Sequence, residues 1–393
     1  MSNITVNLHT LTPVHIGSGI ELKGNFEYLY FQEQGQLAII DEGKVFDVIG
    51  AENLHHWVSI IEKEEDLLAY LKKRKPGLQP TDVASRLIDV QPPGPRGTEG
   101  IKEQLHSGAD NVPCIPGSSL KGAVKTAFLT NMVMKRPHFV RDFKNLQRKR
   151  GNRWVFSDQQ LMGHYFELAD PRNIAVGRGM GPNKDLFRFF RLGDLYFETT
   201  NTTAFRAEVV NLYREEWKIK SQVTHFLEAI PSGVDASGEF QVAEEQLRQV
   251  QKKGMEHSYI PKLQPKETAE LINGHTLGLA DKELAFWEEE DNPEVLGNYI
   301  SELRRIVDTI NSCQENECVL RLGSGSGWSY MTGAWAKEKV NGDFLMDDRT
   351  WDNITREARR GRDYGNVPFP KSRKLLAGGI PLGFVKLSFQ TAI

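Results

Sequence analysis

The chain is 393 residues long and carries 49 lysines and arginines against 52 aspartates and glutamates, a formal net charge of −3. This length sustains cores that need no disulfide or metal staple, and the charge excludes a protein that binds nucleic acid through overall basicity; only local patches can do so. Three cysteines, Cys114, Cys313 and Cys318, make no zinc pattern. With no leader-like or membrane-length apolar run, a reduced, cytoplasmic setting is expected.

Ile4 to Leu11 alternates apolar and polar residues, the period of a half-buried strand. It breaks into Leu11-Thr-Pro-Val-His-Ile-Gly-Ser-Gly19, where Pro13 limits pairing and Gly17 and Gly19 permit backbone conformations closed to other residues. His15 reads as a general acid, an RNA contact or a turn-packing side chain. Phe26–Phe31 and Leu37–Ile40, flanking Gln34-Gly35-Gln36, predict a hairpin. Residues 50–113 read as an insertion with a Glu/Lys-rich helical run and the turn-rich Gln91-Pro-Pro-Gly-Pro-Arg-Gly97.

Ile115-Pro-Gly-Ser-Ser-Leu-Lys-Gly-Ala-Val-Lys-Thr-Ala127 is a turn entering a helix over 118–134, with Ser118 or Ser119 as N-cap and Leu120, Val124, Ala127 and Phe128 at helical spacing. A helix start presents unpaired N–H groups and a positive dipole end, and Lys121 and Lys125 add two cations one turn apart. The expected guest is a phosphate. It is not that of a nucleotide triphosphate site, because Gly122 is followed by Ala123 and Lys121 precedes the glycine, which breaks the P-loop register.

A basic run follows: Lys135, Arg136, Arg141, Lys144, Arg148, Lys149, Arg150 and Arg153. A strand is expected at Phe187–Leu192 or at Leu195–Phe197, and a junction at 201–212. His225–Ile230 and Gly238–Val242, separated by Pro231–Ser237, predict a second hairpin. Helical patterns run over Ala243–Lys253 and Leu296–Ile310, and Trp287-Glu-Glu-Glu-Asp-Asn292 reads as solvated surface. Arg321-Leu-Gly-Ser-Gly-Ser-Gly-Trp328 can lay its backbone against a ligand or form an anion nest, with charge and a stacking surface at its ends. A second basic group (Arg356, Arg359, Arg360, Arg362, Lys371, Arg373, Lys374) precedes a final strand at Pro381–Phe389.

The pairing of Leu11–Gly19 with Ile115–Gly122 resembles the RAMP superfamily of CRISPR effector proteins. Length, motif order and Asp185-Leu-Phe-Arg-Phe-Phe-Arg-Leu-Gly-Asp194 resemble, within it, the type III-A (Csm) subunits at the 3′ end of the guide RNA. The resemblance implies an α+β fold of two ferredoxin-like, RRM-related domains, 1–205 with the insertion near 50–113 and 206–393 with the loop 321–328. It implies a crRNA-binding subunit that caps the 3′ region of the crRNA, stacks on the repeated backbone subunit, and lies near a small helical subunit and the target RNA. Support of crRNA 3′-end maturation through host nucleases is part of the same expectation.

The candidate RNA contacts are His15, Gly17, Ser18 and Gly19; Gly117, Ser118, Ser119, Lys121 and Lys125; Arg321, Gly323, Gly325, Gly327 and Trp328; and Arg373. No cofactor, metal or membrane contact is expected. Spacing identifies no base, acid and oxyanion cation together, so a binding subunit is expected. The alternative is a metal-independent endoribonuclease with His15 as general acid/base and Asp41, Asp110 or Asp194 as acids.

Overall fold

The computed structural model describes residues 4–63, 65–108, 111–168, 184–199, 201–213, 215–252, 264–291, 293–356 and 369–391. The strand Ile4–Thr10 forms as its alternation predicts, with Ile4, Val6 and Leu8 all buried. It lies between the last strand, Phe384–Thr391, and the strand Asp235–Val242, antiparallel to both, with Val6 opposite Phe389 and Gly238. Leu195–Phe197 pairs on the far side of Asp235–Val242. Helix Gly117–Lys135 precedes Leu195–Phe197, and helix Pro265–Glu289 lies between Asp235–Val242 and the last strand. This is a βαββαβ unit in the spatial order fourth, first, third, second, the ferredoxin-like arrangement. Glu317–Arg321, Cys114–Ile115 and Phe190–Leu192 extend it to seven strands.

The two helices pack on this sheet and against each other. Leu120, Val124, Ala127 and Phe128 of the first helix are buried against Phe187, Phe190 and Phe240, with Phe128 and Phe187 edge-on at 5.3 Å. Fully burying side chains of this size is worth about 1.5–3 kcal/mol each. This sheet face is therefore the main core.

The second sheet has nine strands, centred on Thr202–Tyr213. The segment expected to be a junction is thus one continuous strand. It pairs with His225–Ala229 and, in parallel, Ala84–Val90, then with Glu216–Ile219 and Ser372–Leu376 further along. A boundary at 205/206 would cut this ladder, and both sheets take strands from either side of it. The 50–113 segment likewise supplies ladder strands, Ala84–Val90 and Gly100–Gln104. The first hairpin forms as Tyr28–Phe31 with Gln36–Ile40. The second does not: His225–Ala229 joins the second sheet while Asp235–Val242 joins the first. Alternation reports which face is buried, not which strand lies alongside.

The acidic run also departs from expectation at its first residue. Glu288 and Glu289 are exposed, but Trp287 is fully buried and its indole N–H donates to Glu283 Oε1 at 2.9 Å. Tyr299 Oη donates to the same oxygen at 3.1 Å, and Arg373 Nη2 donates to Glu283 Oε2 at 3.0 Å while its guanidinium lies 5.0 Å over Trp287. This cluster pins the Ser372–Leu376 strand to helix Pro265–Glu289. Removing one partner of a buried pair leaves an uncompensated charge, so Glu283→Ala is expected to cost about 3–5 kcal/mol in urea unfolding. The double variant Glu283→Leu/Arg373→Met should recover most of that loss.

Candidate nucleic-acid interface

Three segments far apart in sequence are laced together by backbone hydrogen bonds. Leu11 N and Thr12 N donate to Phe384 O, and Gly383 N donates to Pro13 O at 2.9 Å. Leu322 N donates to Gly383 O and Ser324 N to His15 O, each at 2.9 Å. The approach is close enough to require glycine. A Cβ on Gly383 would sit 2.0 Å from Leu322 O, and one on Gly323 2.7 Å from His15 O. Gly323, Gly325 and Gly327 all have positive φ, between 78° and 87°.

Arg321 closes the glycine-rich loop. Its Nε donates to Leu382 O at 2.9 Å and its Nη2 to Gly325 O at 3.0 Å, with the guanidinium near Tyr330 and Phe384 at 4.9 and 4.8 Å. Only 6% of Arg321 is exposed, so it shapes the loop from within and does not offer its charge to a ligand. Facing this lacing, Ser119, Gly122, Ala123 and Thr126 of the first helix form the opposite wall of a cavity of about 390 Å³. His15, Gly17, Gly323 and Ser324 also line it. The three sequence motifs therefore meet around one space.

Several expected contacts have other duties. Gly117 N donates to Asp194 Oδ1 at 2.8 Å, so the anion at this helix start is an internal carboxylate; Pro116, not Ser118 or Ser119, holds the N-cap position. Gly117 is also sterically required, since a Cβ there would lie 2.2 Å from Leu192 O. Ser118 is exposed and Ser119 lines the cavity. Lys121 and Lys125 project from the helix face away from Ser119, Ala123 and Thr126. Lys125 Nζ pairs with Asp185 Oδ2 at 2.7 Å, and burial lowers the Lys121 pKa. Arg373 is held by Glu283.

On the amino-terminal side, Gly17 and Gly19 are exposed in the strand Gly17–Lys23 and Ser18 Oγ donates to Glu103 Oε2 at 2.9 Å. His15 is 3% exposed, its Nδ1 lies 2.5 Å from Glu228 O, and burial lowers its pKa. That hydrogen bond engages Nδ1 with a backbone carbonyl, and burial disfavours the protonated ring. Of the candidate acids, Asp41 caps helix Glu42–Ile49, Asp194 caps Gly117, and Asp110 lies outside the described residues, as do Arg359, Arg360 and Arg362. Glu103, His106 and Glu228 converge as metal-ligand types, but Arg86 Nη2 lies 3.0 Å from carboxylate oxygens of both Glu103 and Glu228, so a cation already occupies that place.

Trp328 is half-buried, edge-on to Trp351 at 5.4 Å and Phe369 at 5.3 Å, and lines a second cavity of about 420 Å³ with Ser372 and Lys374. The first basic run forms its own two-stranded hairpin, Gln147–Arg150 with Arg153–Phe156. Arg148, Lys149, Arg150 and Arg153 are exposed there beside Trp154, 65% exposed. Sequence reasoning counted those cations and passed over Trp154, although an aromatic among four basic residues is a stacking signal. It also missed Tyr330, Ser324 and Thr126, for which spacing gave no sign.

Residues 7–330 match the family model of the RAMP superfamily. The chain belongs to that superfamily. A search of curated proteins finds no match. Among solved structures, it is similar to a chain in the cryo-EM structure of a Csm–crRNA–target RNA ternary complex of a type III-A CRISPR-Cas system, with a TM-score of 0.71 and 21% identity over 99% of this chain and 100% of that one. It is also similar to the crystal structure of T. onnurineus Csm5, with a TM-score of 0.64 and 19% identity over 96% and 99% of the two chains. At these identities the likeness is one of fold, and this RAMP chain shares it over nearly its full length. Among the described residues no helix is long and apolar enough to cross a membrane.

Gly323→Ala, which meets both a left-handed φ and the His15 carbonyl, is expected to destabilise by more than about 2 kcal/mol. Gly327→Ala, left-handed but in open space, should cost only the backbone strain of about 1–2 kcal/mol, and urea midpoints of the two variants will rank them. Burial pushes His225 and His275 down to about 4, so between pH 4 and the usual 6.5 the unfolded chain binds more protons than the folded one. Stability is then fully present above about pH 6.5 and falls as the pH drops toward 4. Urea midpoints against pH check this, and His275→Gln should flatten the curve.

Proposed function

We propose that this RAMP protein is a crRNA-binding subunit of a type III-A effector complex, without catalytic activity of its own, that caps the 3′ region of the crRNA. The observation that carries the reading is the convergence of Leu11–Gly19, the Ser119–Thr126 helix face and the glycine-rich loop on one cavity. Near-complete fold similarity to a chain of a Csm–crRNA–target RNA complex supports it. The grip is sequence-tolerant: exposed backbone at Gly17, Gly19 and Gly327, the Ser119 hydroxyl, and stacking at Trp328 suit a sugar–phosphate chain more than any one base.

The partners follow from the same reading: the repeated backbone RAMP subunit, the small helical subunit, target RNA nearby, and host nucleases that trim the crRNA 3′ end in the cytoplasm. The exposed basic hairpin with Trp154 extends the footprint beyond the cavity. A buried His15 whose Nδ1 is engaged by the Glu228 carbonyl serves the turn, which supports binding over cleavage.

Protein purified from cells carrying the other effector subunits and a repeat array should co-purify with short RNAs that share one 5′ end and differ at the 3′ end. The isolated chain incubated with labelled repeat RNA in EDTA should leave it intact. Specific cleavage that disappears in His15→Ala would overturn the non-catalytic reading.

A further inference from the structure

Four basic side chains from four separate segments meet where the second sheet reaches the glycine-rich loop. Lys374 from Ser372–Leu376, His225 from His225–Ala229, Lys102 from Gly100–Gln104 and His15 are close enough to act on one another electrostatically. Lys374 Nζ donates to Ser324 Oγ at 3.0 Å, and Ser324 lines the cavity between the motifs. Among the described residues neither Lys374 nor Lys102 has an ion-pair partner, and His225 Nε2 is buried with no hydrogen bond. Glu103 and Glu228 both bind Arg86, and Glu21 stands opposite Lys102 in the Gly17–Lys23/Gly100–Gln104 ladder without an ion pair to it among the described residues.

This arrangement costs the free protein stability. Burial and the neighbouring Lys102 lower the Lys374 pKa to about 8, the mark of an ammonium held without a counter-ion. A neutral hydroxyl or amide could hydrogen-bond Ser324 without that cost. Local inconsistency of this kind is characteristic of binding sites, where a ligand supplies what the fold withholds.

We propose that Lys374, Lys102 and the Ser324 hydroxyl form a phosphodiester site that seats one backbone phosphate of a single-stranded RNA beside Gly17. The inference rests on the RNA-binding reading above and names residues for it that lie outside the three motif segments, apart from Ser324. Gly17 is exposed and without a side chain, and a Cβ there would crowd His15 Nε2 at 3.3 Å, so glycine at this position leaves open backbone beside His15. The anion neutralises Lys374, and the serine hydroxyl reorients to donate to a phosphate oxygen.

The test uses the full chain and a fluorescein-labelled oligouridine. Lys374→Met should melt about 2 °C higher than the parent without RNA, because it removes a half-buried charge with no ion pair. The same variant should bind the oligouridine about tenfold more weakly, with a log–log salt slope smaller by about 1. Lys374→Arg should keep the parental slope, and Lys102→Met should lower it. A parent that binds no oligouridine overturns the RNA-binding reading itself. A binding parent with an unchanged affinity and slope in Lys374→Met overturns this site alone, as does a Lys374→Met variant that melts lower than the parent.

Discussion

The structure depends on a backbone lacing in which Gly383 accepts from Leu322 and donates to Pro13, while His15 accepts from Ser324. These bonds join the first turn of the chain to two segments more than 300 residues away. Backbones approach this closely only where no Cβ intervenes, which is why glycine stands at 323 and 383. Arg321 reinforces the lacing by satisfying two loop carbonyls from inside. The strand Ile4–Thr10, held between Asp235–Val242 and Phe384–Thr391, fixes the turn that follows it. A surface built from loops is thereby held by an interior strand of the first sheet.

A second theme is how the fold allocates its charges. The first helix start is taken by Asp194, Lys125 by Asp185 and Arg373 by Glu283. Each pairing removes from the surface a group that sequence alone would offer to a phosphate. What remains for the proposed RNA is exposed glycine backbone, hydroxyls, an aromatic pair of faces at Trp328 and Trp154, and cations without internal partners. This division would let a slightly acidic chain bind a polyanion. The bulk charge is irrelevant once the acids are spent on internal partners or, like Glu288 and Glu289, face solvent elsewhere.

Much of the architecture was legible because it is written in local periodicity. The helix at 118–134, the first strand, the first hairpin and the last strand stand where alternation or helical spacing put them, within about three residues. The pairing of His225–Ala229 with Gly238–Val242 was not legible. Their turn-rich separation fits a hairpin and a crossover between sheets equally well, and the choice depends on which neighbouring strands are already present. Thr202–Tyr213 reads as polar in sequence because its Thr and Asn residues lie along a ladder whose partners satisfy them. Trp287 hides at the head of an acidic run because its burial comes from Glu283, Tyr299 and Arg373, none of them adjacent to it in sequence order.

By itself the sequence determined the superfamily, the α+β class and the three segments that line the cavity, because glycine positions and short-range periodicity are local properties. The tertiary structure alone decided which charged residues have internal partners. Lys125, Arg321 and Arg373 look equivalent to Lys102 and Lys374 as letters. They differ because Asp185, the loop carbonyls and Glu283 engage the first three, and those partners are brought together only by the fold.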